Sequence, residues 1–173
     1  MYSISAYYTA AVVSVLTTTW IYPMFAGAVE YYWFEFEDRS FFDFLYYEAG
    51  MITCCLCGNI FGFMFGCMFK DELMALALMQ ICNQTFNMGC GCWVNIGKGA
   101  SPVVSFISSI SPTRYGLELV MRRITAKKKL QEHVLEHFGY TAGTRFCFIY
   151  LFGFALVSFF FGWLVLWLKN RKL

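Results

Sequence analysis

The sequence predicts an all-α membrane protein with about four transmembrane helices, a short re-entrant segment and an amphipathic helix. Of its 173 residues, 59% are hydrophobic and only 14% charged, whereas a soluble domain carries roughly 25% charged residues. That much apolar surface needs a bilayer around it. Four uncharged stretches, at residues 1–29, 49–69, 73–97 and 146–168, each exceed the roughly 20 residues that cross a hydrocarbon core at about 1.5 Å per residue. A fifth apolar segment, 103–111, lies between Pro102 and Pro112. As a helix it reaches only about 14 Å, enough to dip into a membrane but not to cross it.

Taken in order, the helices are expected at about 5–29, 47–69, 73–94 and 145–168, with the re-entrant and amphipathic region at 101–138. The first lacks a basic flank ahead of it, so it reads as mature structure rather than a signal peptide. Pro23 should kink it or end its regular part. Tyr31, Tyr32, Trp33 and Phe34 then form an aromatic belt at headgroup level, and Glu35, Glu37, Asp38 and Asp43 form an acidic loop. Lys70, Asp71 and Glu72 make a tight turn, which sets the second and third helices as an antiparallel hairpin. From 113 to 138 a helical period places Leu117, Val120, Met121 and Ile124 on one face, with Arg122, Arg123, Lys127 and Lys128 elsewhere. Such a helix is expected to lie near the membrane surface. Lys169, Arg171 and Lys172 give the chain a basic end of the kind that stays in the cytosol.

Composition excludes some partners. The net charge is +2 and the basic residues concentrate between Lys98 and Arg145, so no nucleic-acid partner is implied. Cys54, Cys55, Cys57, Cys67, Cys82, Cys90, Cys92 and Cys147 all fall in or beside apolar runs, which leaves the polar loops without a disulfide framework. No histidine or carboxylate accompanies them there, so they read as small polarisable packing residues rather than a metal site.

The third helix carries the most informative chemistry. Gln80, Asn83, Gln84 and Asn87 recur at i, i+3, i+4 and i+7, which sets four amides on one face of an otherwise apolar helix. Amides facing lipid would cost several kilocalories per mole each, so the stripe must face protein or water. Interhelical hydrogen bonds, worth about 0.6 to 2 kcal/mol each in membranes, are one way to satisfy it. Asn83-Gln84-Thr85 also spells a glycosylation sequon, which a helix interior keeps from use. Separately, His133, Glu136 and His137 match H-x-x-E-H, in which two helical histidines bind zinc and the glutamate acts as base. Such a site needs a further ligand, nominally Glu118 or Glu132. A helix dense in Lys and Glu yields this spacing by chance, and a zinc metallopeptidase is the minor reading.

Two stretches resemble a known family. MYSISAYYTA at 1–10 and LMQICNQTFNMGCGCWVNIGKGASPVVSFISSISPTRYGLELVM at 78–121 are similar to the ABC-2 type transmembrane domain of G-subfamily (White-type) ABC transporters. The first resembles the start of the family's third membrane helix. The second resembles its fifth helix, a glycine-containing turn, a re-entrant segment and an S-P-x-R-Y-x-x-E stretch, carried here by Ser111, Pro112, Arg114, Tyr115, Gly116 and Glu118.

The resemblance implies the C-terminal four-helix part of a domain that exports lipophilic substrates as a homo- or heterodimer, in the plasma membrane or an internal one. Membrane lipid and an ABC nucleotide-binding domain would be its partners. ATP and Mg would be bound by that domain, because no G-x-x-x-x-G-K-[ST] loop occurs in this chain and it carries no cofactor or catalytic residue of its own. The resemblance further implies that Gln80, Asn83, Gln84 and Asn87 line a substrate cavity, and that Gly91, Cys92 and Trp93 stand at a gate or plug. It puts the segment from Asn95 to Thr144 outside the cell, although that segment holds seven basic residues against four in the cytosolic turn and tail, the reverse of the usual bias. The family also places an ATP-binding domain and two helices ahead of this region. A truncated, non-transporting regulatory or remnant protein is therefore the alternative expectation.

Overall fold

The computed structural model describes residues 3–33, 40–93, 96, 100–125 and 131–171, with the backbone alone at 131 and 132. Within them run α1 (Ile4–Thr19), α2 (Ile21–Trp33), α3 (Phe41–Met68), α4 (Glu72–Met88), α5 (Pro102–Ile110), α6 (Pro112–Ile124), α7 (Gln131–Phe138) and α8 (Thr144–Asn170). Residues 34–39, which hold Phe34 of the expected belt and most of the expected acidic loop, lie outside the described set.

The first long helix is broken where its chemistry requires. Pro23 has no N–H to give the carbonyl four residues earlier, and helical hydrogen bonding lapses at Trp20, between α1 and α2. The two pieces together still form one apolar span, Ile4–Trp33. This span outlasts the expected end at 29 by four residues, so Tyr31 turns inward and is buried while Tyr32 and Trp33 stay exposed.

The second helix also starts earlier than expected, at Phe41 rather than about 47. Asp43 therefore belongs to its first turn and not to a loop. At its other end the chain turns through Lys70, and Asp71 caps α4 by accepting from the Leu73 N–H at 3.1 Å. The hairpin is antiparallel as expected, with Met79 lying over Gly62 and Phe86 against Phe61 at 5.6 Å between ring centroids.

α4 is shorter than expected. It stops at Met88 and not near 94, because Gly89 ends the regular bonding and Gly91 takes φ +98°, a left-handed conformation that other residues adopt at a cost. Among the described residues, three helices are long and apolar enough to cross a membrane: Ile4–Trp33, Phe41–Met68 and Thr144–Asn170. The 17 residues of α4 cover about 26 Å.

Pairwise contacts give the directions. Tyr8 of α1, fully buried, donates to the Phe159 carbonyl of α8 at 2.8 Å, and the Trp163 indole donates to Ser5 at 3.3 Å. α1 therefore runs opposite to α8. Cys57 of α3 donates to the Leu151 carbonyl at 3.1 Å and Lys169 to the Cys67 carbonyl at 2.6 Å, so α3 and α8 run the same way. Up, down, up, down is thus the order of α1–α2, α3, α4 and α8. One end of the bundle holds Ser3, the Lys70 turn and Asn170, and the other holds α5, α6 and α7. The densest packing, of Cys57, Tyr115, Leu119, Cys147 and Leu151, lies where α3, α6 and α8 meet.

The region 101–138 departs most from expectation. Instead of one surface helix from 113 to 138, the described residues form α6 and α7, with α6 closed at Thr125. α6 does not rest on the surface through its apolar stripe. It runs antiparallel along α3, from Gly116 against Cys54 to Arg123 paired with Asp43. The face it buries carries Tyr115, Gly116, Glu118 and Leu119, while Leu117, Val120, Met121 and Ile124 remain half-buried. Close approach to α3 decides this: a Cβ at Gly116 would sit 2.7 Å from the Cys54 sulfur, so only glycine lets the two helices meet there.

Candidate functional site

The less exposed side of α4 carries Ala75, Leu78, Met79, Cys82 and Phe86, spaced at i, i+3, i+4, i+7 and i+11, and from it Met79 and Phe86 meet Gly62 and Phe61 of α3. The amides lie roughly opposite. Gln80, Asn83 and Gln84 are exposed and Asn87 is half-buried. No hydrogen bond joins any of the four side chains to another described residue. Gln80 and Gln84 line a shallow open groove of about 480 Å³ with Ala77, Ile81, Thr85 and Met88.

Gly91, Cys92 and Trp93 do not continue that helix as its outer turn. They form an irregular turn beyond it, with Gly91 buried and Trp93 78% exposed. Tyr140, in the connection between α7 and α8, pins this turn by donating to the Cys90 carbonyl at 2.8 Å. A Cβ at Gly91 would lie 3.2 Å from the Tyr140 ring and 3.3 Å from the Phe138 carbonyl.

The motif residues at 111–118 open α6, and Ser111, Arg114, Tyr115 and Gly116 tie it to other parts of the fold. Ser111, fully buried, donates to the Phe86 carbonyl of α4 at 2.9 Å and accepts from the Arg114 N–H at 3.3 Å as N-cap of α6. Pro112 fills the first position of that helix, where a missing N–H costs nothing. Arg114 donates to the Gly139 carbonyl at 3.0 Å. Tyr115 donates to the Ser109 carbonyl at 3.0 Å and lies against Tyr150 at 4.0 Å between ring centroids.

Glu118 is fully buried and paired with Arg122 at 2.8 Å, and Arg122 also donates to the Tyr140 carbonyl at 3.2 Å. Burial raises the proton affinity of the Glu118 carboxyl above the usual carboxylate range, and Arg122 opposes that shift. Glu118 is therefore committed to an arginine and is not a third metal ligand. His133, Glu136 and His137 are all exposed on α7, and the Glu132 side chain lies outside the described set. Among the described residues no group of three metal-ligating side chains comes together.

Glu48 is the functional-looking residue that sequence reasoning passed over. Counting uncharged runs stopped one residue short of it, at 49. It sits on α3 with 5% exposure, its carboxyl against Gly27 of α2 and neither oxygen hydrogen-bonded. Glu30 faces the same packing and accepts from Tyr47 at 2.8 Å. A carboxylate directly beside an apolar run was the available signal.

Long apolar helices of alternating direction, with an exposed amide face on one of them and a polar cap at one end, define an integral membrane helix bundle. A family model described as ABC-2 type transporter matches residues 1–124, and the chain belongs to this family. The match takes in α1 to α6, including the amide face and the capping motif. Comparison with curated proteins gives no match. Membership carries a role in ABC-2 type transport across a membrane, with a nucleotide-binding partner, and membrane domains of this family do not themselves hydrolyse nucleotide.

Proposed function

We propose that this chain forms one side of a G-subfamily translocation pathway. Two such membrane domains meet along α4, so that Gln80, Asn83, Gln84 and Asn87 line a wet central cavity through which lipophilic substrates are exported. ATP hydrolysis is supplied by the nucleotide-binding partner. The observation that carries this reading is the unpartnered amide face. Among the described residues no helix covers it, and lipid cannot satisfy it. Interhelical hydrogen bonding inside the chain, the competing explanation, has no bond in its support.

On this reading α4 is the third of four membrane passes, and Gly91, Cys92 and Trp93 flank the pathway at the end that holds α5, α6 and α7. The bond from Tyr150, seventh residue of α8, to the Ile110 carbonyl at 2.7 Å supports a re-entrant α5. It ties the end of that helix to the second turn of α8. The basic content of the outer segment also loses its force, since Arg114, Arg122 and Arg123 are bound by Gly139, Glu118 and Asp43 and are spent on folding rather than on lipid headgroups.

The test replaces Gln80, Gln84 and Asn87 by Leu. The isolated chain should keep its thermal stability within about 0.5 kcal/mol, as substitutions away from packed contacts do. In the assembled transporter, the ranking of substrates that stimulate ATPase should change. Lost stability with an unchanged ranking would overturn the proposal and return the amides to a packing role.

A further inference from the structure

A cleft of about 320 Å³ opens between α3 and α4 beside the Lys70 turn. It exists because α3 presents Gly62 and Gly66, one turn apart, to the first half of α4. A Cβ at Gly66 would meet nothing within 4 Å, and Met79 closes the far end, its methyl 3.1 Å from where a Cβ at Gly62 would lie. Lys70 and Glu72 line the end at the turn, and every other lining side chain is apolar, among them Phe65, Phe69 and Leu76. From Lys70 to Gly62 the cleft runs about 12 Å along α3. It shares no residue with the groove beside the amide face. Most charges described at this end of the bundle are committed. Asp71 caps α4, Lys169 donates to the Cys67 carbonyl, and Arg171 lies over the Trp167 ring at 4.6 Å. Lys70 and Glu72 are exposed and make no hydrogen bond or ion pair with a described residue. The apolar span of α3 ends at Met68, which sets these two charges at headgroup level and the body of the cleft in hydrocarbon.

We propose that this cleft binds a zwitterionic phospholipid whose headgroup ends in a primary ammonium. Charge complementarity selects it. The lipid phosphate sits against the Lys70 ammonium, the lipid ammonium donates to the Glu72 carboxylate, and one acyl chain lies along Gly66 and Gly62. A choline headgroup carries the same charges but has no N–H to give Glu72. An anionic headgroup satisfies Lys70 and brings no cation to Glu72. The lipid is a structural ligand of the α3–α4 hairpin rather than cargo. The proposal stands on this cleft alone and does not depend on α4 lining a pathway.

The test uses the whole chain in detergent, stripped of lipid, and follows thermal unfolding as phosphatidylethanolamine, phosphatidylcholine or phosphatidylglycerol of identical acyl chains is added. A ligand that binds only the folded chain raises Tm with its concentration. Phosphatidylethanolamine should act at about tenfold lower concentration than phosphatidylcholine, the ratio that one hydrogen bond to a charged group supplies, and phosphatidylglycerol should do no better than phosphatidylcholine. Glu72→Ala should bring phosphatidylethanolamine down to the phosphatidylcholine value. Gly66→Leu, whose side chain enters open space and fills the cleft, should remove the phosphatidylethanolamine advantage as well. If either variant misfolds, the wild-type ranking decides the matter, together with which lipid the wild-type chain retains in native mass spectrometry. Equal shifts from the three lipids would mean solvation of the apolar belt only, and the largest shift from phosphatidylglycerol would mean a plain cationic site. Either result overturns the proposal, as does a phosphatidylethanolamine advantage that survives Gly66→Leu.

Discussion

Ser111 and Ser108 are both fully buried and lie three residues apart, yet truncation to alanine should affect them oppositely. The Ser111 hydroxyl serves two helices at once. It caps the start of α6, and it donates to the Phe86 carbonyl, whose regular partner four residues on, the Cys90 N–H, has turned instead to Asn87. Ser111→Ala removes an N-cap worth about 1 kcal/mol and a buried hydrogen bond of similar worth, together about 2 kcal/mol. For a chain of this size that lowers Tm by about 4–8 °C. The Ser108 hydroxyl, by contrast, has no partner among the described residues. Ser108→Ala deletes an unsatisfied polar group and should be neutral or stabilising by up to about 1 kcal/mol. Tryptophan fluorescence during thermal denaturation in detergent, with wild type alongside, reads both. Equal losses from the two variants would refute the hydrogen-bond account and leave packing volume as the cause.

Two further outcomes follow from the same junction. Gly116→Ala should cost about 1–3 kcal/mol through overpacking, since its new methyl meets Cys54. Adding Cys54→Ala should recover much of that loss, whereas additive effects in the double-mutant cycle would show that the two helices do not meet there. Glu118 has a higher proton affinity in the fold than when unfolded. The stability from this shift is therefore full below the ordinary carboxylate range and is lost as pH rises through the folded value. Arg122→Gln removes the cation that offsets this, so it should cost about 3 kcal/mol at neutral pH and much less in acid, by thermal melts across pH. A deficit that does not change with pH would contradict the pairing.

The sequence by itself determined the solvent and the helices. Hydropathy and length are local sums, so the bilayer, the long spans, the break near Pro23, the tight turn at Lys70 and the amide stripe were all legible from residue order. Boundaries were less so. Asp43 was charged enough to be read as part of a loop ahead of α3, and its pairing with Arg123 holds it within the first turn of that helix. α4 was drawn six residues too long because apolar content continues past Met88, while the conformation of Gly91 that stops it is fixed by Phe138 and Tyr140, distant in sequence. α6 was assigned the wrong buried face. Periodicity ranks faces by apolarity, but in a membrane bundle the apolar stripe gains little by turning inward, and the face that can satisfy Glu118, Ser111 and Arg123 while bringing Gly116 against Cys54 goes in instead. Apart from Glu118 with Arg122, one turn away on the same helix, those pairings join residues between 25 and 80 positions apart, which no local pattern records. Tertiary packing alone decided them, because a buried polar group must find its partner wherever the fold brings one.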